Sequence, residues 1–295
     1  MAREWDGKTR GTVFGFKIFI FFIKYFGVNA AYFLMHLPVP YFYIVERQNS
    51  KGLYNYFRNR LAYSSLKSAI SVYRSYFEFG KTLVDRLALL SGMRSNYTFE
   101  FDGEEFIKQA LAQQKGGILI SGHVGNFELA QYFFNERLPD AHISIVISDQ
   151  DHENIKEYLQ QYLNKDHAKL IVVKDDMSHI FEINSALNDN RIVCISGDRY
   201  MEGTKFIDAE LLGKVAKFPV GPFHLAARLD VPVLFVYLMR ERNKHYHLYA
   251  RTVETENKSA EKLLIMYCRS VENILTRYPL QWFNFYDFWE DNRDK

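Results

Sequence analysis

Two cysteines, Cys194 and Cys268, are all that the 295 residues contain. That leaves no disulfide scaffold and no zinc spacing, and the chain reads as facing a reducing compartment. An excess of one charge is missing too. The formal net charge is +2, which argues against a nucleic-acid partner, because such proteins carry a strong basic excess. No basic patch interleaved with aromatics, of the kind that cradles single strands, occurs. There is no Gly-x-Ser-x-Gly elbow, which disfavours a serine hydrolase. The stretch Ser75–Thr82 resembles a phosphate-binding loop, but Ser75 replaces the first glycine and a helix-like run precedes it. His142, His152, His167 and His179 lack tight metal spacing, and His245 and His247 share a strand face without a third ligand nearby. These histidines read as structural.

Aromatic residues are what the sequence has in quantity: 25 Phe, 20 Tyr and 3 Trp. Many fall in the first 80 residues and the last 20, and aromatics gather at membrane interfaces. The stretch 11–35 is the most apolar, yet Lys17 and Lys24 interrupt it. A spanning helix needs about 20 apolar residues, so this one is marginal. The two lysines lie about two turns apart and can snorkel to one side. Both a helix in the interfacial plane and a tilted single anchor are compatible with this pattern. Residues 1–45 are therefore expected to form an apolar membrane anchor or interfacial segment, and residues 46–295 the main domain.

The rest of the chain alternates. A helix is predicted over Gly52–Gly92, a short strand over Asn96–Phe101 and a helix over Glu104–Gln114. Strands follow at Ile118–Ser121, Ile143–Ser148, Leu170–Val173, Ile192–Ser196, Val233–Tyr237 and His245–Arg251. Helices are predicted at Phe127–Arg137, Glu153–Leu163, Met177–Leu187, Pro219–Leu229 and Ser259–Tyr278. This spacing implies an α/β fold with a mixed, mostly parallel central sheet flanked by helices. Such sheets bind ligands beyond the C-terminal ends of their strands.

One stretch carries chemistry: Gly116-Gly-Ile-Leu-Ile-Ser-Gly-His-Val-Gly-Asn-Phe-Glu-Leu-Ala130. It reads as strand, glycine-bearing turn and helix, with His123 at the strand end and Glu128 five residues on. Inside one helix that spacing would separate them by roughly 140°. They can meet only with His123 in the turn and Glu128 in the first helical turn. Gly122 and Gly125 permit such a turn, and Asn126 is a candidate N-cap. A carboxylate on one ring nitrogen would fix the tautomer and leave the other as a general base. Nearby backbone N–H groups could bind an oxyanion or phosphate. The bland alternative is a satisfied core histidine and a glutamate that favours a helix start. Asp198 and Arg199 follow another strand run and are expected at the same edge, where Arg199 suits a phosphate or the donor. Lys214 is a further candidate for phosphate contact.

His-Val-Gly-Asn-Phe-Glu closely resembles the His-x-x-x-x-Asp/Glu motif of the lipid A late acyltransferase family. Similar pieces follow in order: the apolar N-terminus, Gly197-Asp-Arg199, the stretch from Gly213 to Ala226 and the aromatic ending Tyr278–Trp289. The resemblance implies acyl transfer from a thioester, usually on acyl carrier protein, to a glycolipid such as a lipid A precursor. It implies an inner-membrane enzyme working at the cytoplasmic face without metal or cofactor. His123 and Glu128 would be its catalytic pair; Gly125, Asn126, Asp198, Arg199 and Lys214 are expected to bind substrate. Other acceptors compatible with the motif are an amino-acid lipid, a glycerophosphate or a pigment headgroup. A thioesterase and a non-catalytic lipid-binding protein of the same fold are the rival classes.

Overall fold

The computed structural model describes residues 13–139, 141–148, 168–174, 176–200, 204–253 and 259–289. Four helices open the chain: Val13–Phe26 (α1), Val28–Leu34 (α2), Pro38–Val45 (α3) and Arg47–Asn55 (α4). Gly27, at φ 82°, breaks α1 from α2, a conformation that glycine adopts without steric cost. Pro38 starts α3, where its missing N–H costs nothing. A π-helical turn at Tyr56–Arg60 follows α4, and then the long helix Ser65–Leu90 (α5). The helix predicted over Gly52–Gly92 is therefore two helices. Ala62 takes a left-handed φ of 54°, and Ser64 caps a new start by accepting from the Lys67 amide.

The core is a seven-stranded sheet. Its strands are Thr98–Asp102 (β1), Gly117–Ser121 (β2), Ile143–Ser148 (β3), Ala168–Val173 (β4), Ile192–Ser196 (β5), Val233–Arg240 (β8) and His245–Thr252 (β9). They run in the order β1-β9-β8-β2-β5-β3-β4. All neighbours are parallel except β8 and β9, which form an antiparallel hairpin. The mixed, mostly parallel sheet matches the expectation. β2 and β8 are buried along their whole length, as central strands covered on both faces must be. The covering helices are α5, Glu104–Ala112 (α6), Ala130–Arg137 (α7), Ser178–Asn188 (α8), Val220–Arg228 (α9) and Ala260–Arg277 (α10).

An antiparallel hairpin, Phe206–Leu211 (β6) and Lys214–Pro219 (β7), was not anticipated. Its two-residue turn puts Leu212 and Gly213 at φ 53° and 76°, the double positive φ that tight hairpins require. Leucine hides that signal. The helix predicted over Glu153–Leu163 lies outside the described residues.

The terminal aromatics divide into two groups. Trp282, Phe283, Phe288 and Trp289 are buried. Trp282 packs on Tyr56 at 4.4 Å and on Trp289 at 5.0 Å between ring centroids, and Phe283 packs on Phe79 of α5 at 5.1 Å. These C-terminal aromatics are core, not interface, and they fix the closing segment against α5. Several N-terminal aromatics are exposed instead: Phe21, Tyr25, Phe26, Phe33 and Tyr41.

Candidate active site

β2 and β5 are hydrogen-bonded in register, with Ser121 opposite Ser196. The two chains therefore leave the sheet side by side at its C-terminal edge. Gly197 N–H donates to Ser121 O at 2.8 Å and keeps them together for one more residue. The turn after β2 carries His123, and the turn after β5 carries Asp198.

The two side chains meet. His123 Nδ1 lies 2.8 Å from Asp198 Oδ1, and the His123 amide donates to Oδ2 at 2.7 Å. Ser196 Oγ also donates to Oδ1, at 2.9 Å, and Asn284 Nδ2 to Oδ2, at 3.0 Å. Four donors thus converge on one carboxylate that is only 3% exposed. Burial opposes its ionisation. The His123 charge and hydrogen bond, the Arg199 charge and the Asn284 amide outweigh burial and hold the Asp198 carboxyl well below the usual carboxylate range. An ionised carboxylate can only accept. The proton between the two groups therefore sits on His123 Nδ1, and in the neutral form of the ring Nε2 carries the free lone pair. The His123 side chain is 35% exposed, so a reactant can reach it.

The backbone around His123 is held from both sides. Phe283 N–H donates to His123 O at 2.8 Å, and Gly125 N–H donates to Gln281 O at 2.8 Å. Asn126 N–H donates to Leu238 O of β8 at 2.8 Å. Both glycines are sterically required. A Cβ on Gly122 would stand 2.4 Å from Tyr267 Oη, and one on Gly125 would stand 2.2 Å from Leu238 O. Three backbone N–H groups of the turn are therefore already committed: the amides of 123, 125 and 126 bind Asp198, Gln281 and Leu238. Asn126 precedes the 3-10 turn Phe127–Leu129 but does not cap it. Its Nδ2 donates to Thr82 O of α5 at 3.1 Å, so the expected N-cap is instead a tie between the turn that carries His123 and the helical layer.

The other candidates fall as follows. Glu128 has its backbone in that 3-10 turn, and its side chain lies outside the described residues. Arg199 donates Nε to Asn284 Oδ1 and Nη2 to Phe283 O, each at 2.8 Å. It braces the closing segment and orients the Asn284 amide toward Asp198. Lys214 is exposed at the turn of the β6–β7 hairpin, and no described contact joins it to His123. The cavity between α6 and the start of β8, lined by Phe106, Asp230 and Pro232 among others, lies at the opposite edge of the sheet.

Two contributors escaped sequence reasoning. Asn284 sits inside an aromatic run with no polar pattern around it, and Ser196 reads as the last residue of a strand. Asp198 was expected at the same edge, but as a substrate contact. The available signal was register: two apolar runs that each end in serine, each followed by glycine and then His123 or Asp198. Nε2 on an accessible ring, with a buried carboxylate behind Nδ1, can accept a proton from a nucleophile when the ring is neutral. Among the described residues no group of histidines, cysteines and carboxylates could hold a metal ion.

The family described as bacterial lipid A biosynthesis acyltransferase matches residues 68–290, which include His123, Glu128, Asp198 and Asn284. No curated protein matches the chain.

Proposed function

The chain belongs to the bacterial lipid A biosynthesis acyltransferase family, and from that premise we propose that it moves a fatty acyl group from a thioester, carried by acyl carrier protein, to a hydroxyl of a lipid A precursor. The observation that carries the catalytic assignment is the contact of His123 Nδ1 with buried Asp198. His123 Nε2 takes the proton of the acceptor hydroxyl as its oxygen attacks the thioester carbonyl carbon. A C–O bond forms, and the carbonyl oxygen takes the negative charge. The intermediate collapses with cleavage of the C–S bond, and the thiolate leaves with the proton returned by His123. Asp198 stabilises the imidazolium between these steps. Glu128, five residues on, is the carboxylate of the motif and adds negative charge that favours the imidazolium. Arg199 and Lys214 are the cations assigned to phosphates of donor or acceptor. The work takes place at the cytoplasmic face of the inner membrane, where donor and acceptor meet.

The test is a transfer assay with acyl thioester, with and without a lipid A precursor, read by mass spectrometry of the acceptor and by thiol release. Wild type should release thiol in step with acceptor acylation, and His123→Ala and Glu128→Gln should do neither. Thiol release at full rate without acceptor would replace the transferase reading with a thioesterase. A Glu128→Gln enzyme at wild-type rate would remove Glu128 from the mechanism.

A further inference from the structure

Helices α1 to α3 have two apolar faces. One is inside the protein: Ile23, Val28, Ala31, Met35 and Val39 are buried, and Met35 packs directly over Gly80 of α5. The other faces outward and carries Phe21, Phe33, Leu37, Tyr41 and Ile44; Phe33 and Leu37 are 76% and 72% exposed. Ten of the 17 large apolar side chains that are exposed among the described residues lie between positions 21 and 70. A helix on a water-facing surface would be polar on that side.

The stretch of chain that carries this face is strongly basic. Residues 13–75 carry eight lysines and arginines against one acidic residue, Glu46, a local net of +7 in a chain whose total is +2. A second copy placed there would bring two strongly positive surfaces together. An anionic lipid surface complements both the apolar face and the positive charge of this stretch.

The segment Val28–Val45 is long and apolar enough to cross a membrane by length and composition. To do so it would have to withdraw four buried side chains, Val28, Ala31, Met35 and Val39, from the core. It would also have to break a buried polar tie. Tyr32 Oη donates to Asp85 Oδ1 and accepts from Arg240 Nη2 at 3.1 Å. Asp85 is fully buried and also accepts from Tyr97 at 2.9 Å, Tyr246 at 2.5 Å and Arg240 Nε at 2.8 Å. This network locks α2 to α5, β8 and β9. Pro38 and Pro40 further interrupt a straight span. The described part of α1, 14 residues, is about 21 Å long against a core of roughly 30 Å, and Lys17 and Lys24 interrupt it.

We infer that helices α1 to α3 lie in the plane of one leaflet of an anionic bilayer, apolar face down, and do not span it. This deepens the membrane placement proposed above. The whole chain holds the segment at the interface through α5, the same helix that packs on the catalytic turn and the closing aromatic segment.

Two measurements on the full-length protein test this. In flotation with phosphatidylglycerol–phosphatidylcholine vesicles, wild type should bind, and bind less to phosphatidylcholine alone or in high salt. The triple variant Phe33→Ser, Leu37→Ser, Ile44→Ser should lose binding by roughly a hundredfold, as three large apolar contacts are removed. Its melting temperature should not move, because all three side chains are exposed. For topology, Lys24→Cys and Arg47→Cys are labelled singly with an impermeant maleimide in sealed right-side-out and inverted membrane vesicles. Cys194 and Cys268 are buried and give little background. Both introduced cysteines should label from the same side. Labelling from opposite sides overturns the in-plane arrangement while leaving membrane placement intact. Absence of vesicle binding by wild type, or full binding by the triple variant, overturns the docking surface itself.

Discussion

Replacing Asp198 with asparagine is the perturbation whose outcome the geometry fixes most tightly. The amide has one acceptor oxygen where the carboxylate has two. Asp198 Oδ2 faces the His123 backbone N–H and the Asn284 amide, neither of which can become an acceptor in place. The amide oxygen must take that position, which turns its NH2 toward His123 Nδ1 and Ser196 Oγ. Serine can rotate and accept. Nδ1 can accept only by giving up its proton, which moves to Nε2 and abolishes the base. The fold is preserved and the tautomer is inverted. The charge is lost as well. Unit charges 2.8 Å apart attract by about 6 kcal/mol at an effective dielectric constant of about 20. His123 is about a third exposed, so solvent screening halves this to roughly 3 kcal/mol. That alone is more than a hundredfold in rate, and the tautomer adds to it. We expect kcat for acyl transfer to fall by about a thousandfold or more, with KM for the thioester little changed. The assay is thiol release coupled to acceptor acylation, with a thermal melt as the control for folding. An Asp198→Asn enzyme that keeps its fold and works within tenfold of wild type would refute the assignment. A pH series adds a sign. Because the folded carboxyl is held below its ordinary value, its stabilising contribution is complete above a pH of about 4. Any stability advantage of wild type over Asp198→Asn should be constant at neutral pH and shrink as pH falls through that point.

Asn284→Ala removes one hydrogen bond to the same charged carboxylate, a contact worth about 1.5–3 kcal/mol. Activity should fall by roughly ten- to a hundredfold, with the acid limb of the pH–rate profile displaced. A loss of stability with an unchanged profile would make Asn284 merely structural. Asp85→Ala leaves buried Arg240 with only the longer pairing to Glu78, at 3.5 Å, strips the acceptor from Tyr97 and Tyr246, and should destabilise the protein by about 3 kcal/mol in denaturant titration. A shift under 1 kcal/mol would show that the network is not what locks α2 to the sheet.

Much of the fold was legible because the apolar runs are short and punctuated by glycine. β2, β3 and β5 lie where the runs at Ile118, Ile143 and Ile192 end against polar residues. The break at Ala62 and the hairpin turn at Leu212 were not legible, because each relies on positive φ in a residue that does not advertise it. The site was half legible. His123 stood out by its glycine-bearing turn, and Asp198 was placed at the right edge. Its pairing with His123 depends on strand register across 75 residues of chain, which no local pattern encodes. Asn284 was hidden for a related reason: it is positioned by the burial of Trp282, Phe283 and Trp289, and a dense aromatic ending reads the same whether it meets lipid or core.

The central claim is acyl transfer to a lipid through His123. Mass spectrometry of total lipids from cells lacking the protein, complemented by wild type or by His123→Ala, tests it most directly. One lipid class should lose a single acyl chain in the deletion; wild type should restore it, and His123→Ala, expressed at the same level, should not. Unchanged lipids in the deletion, or full restoration by His123→Ala, would contradict it.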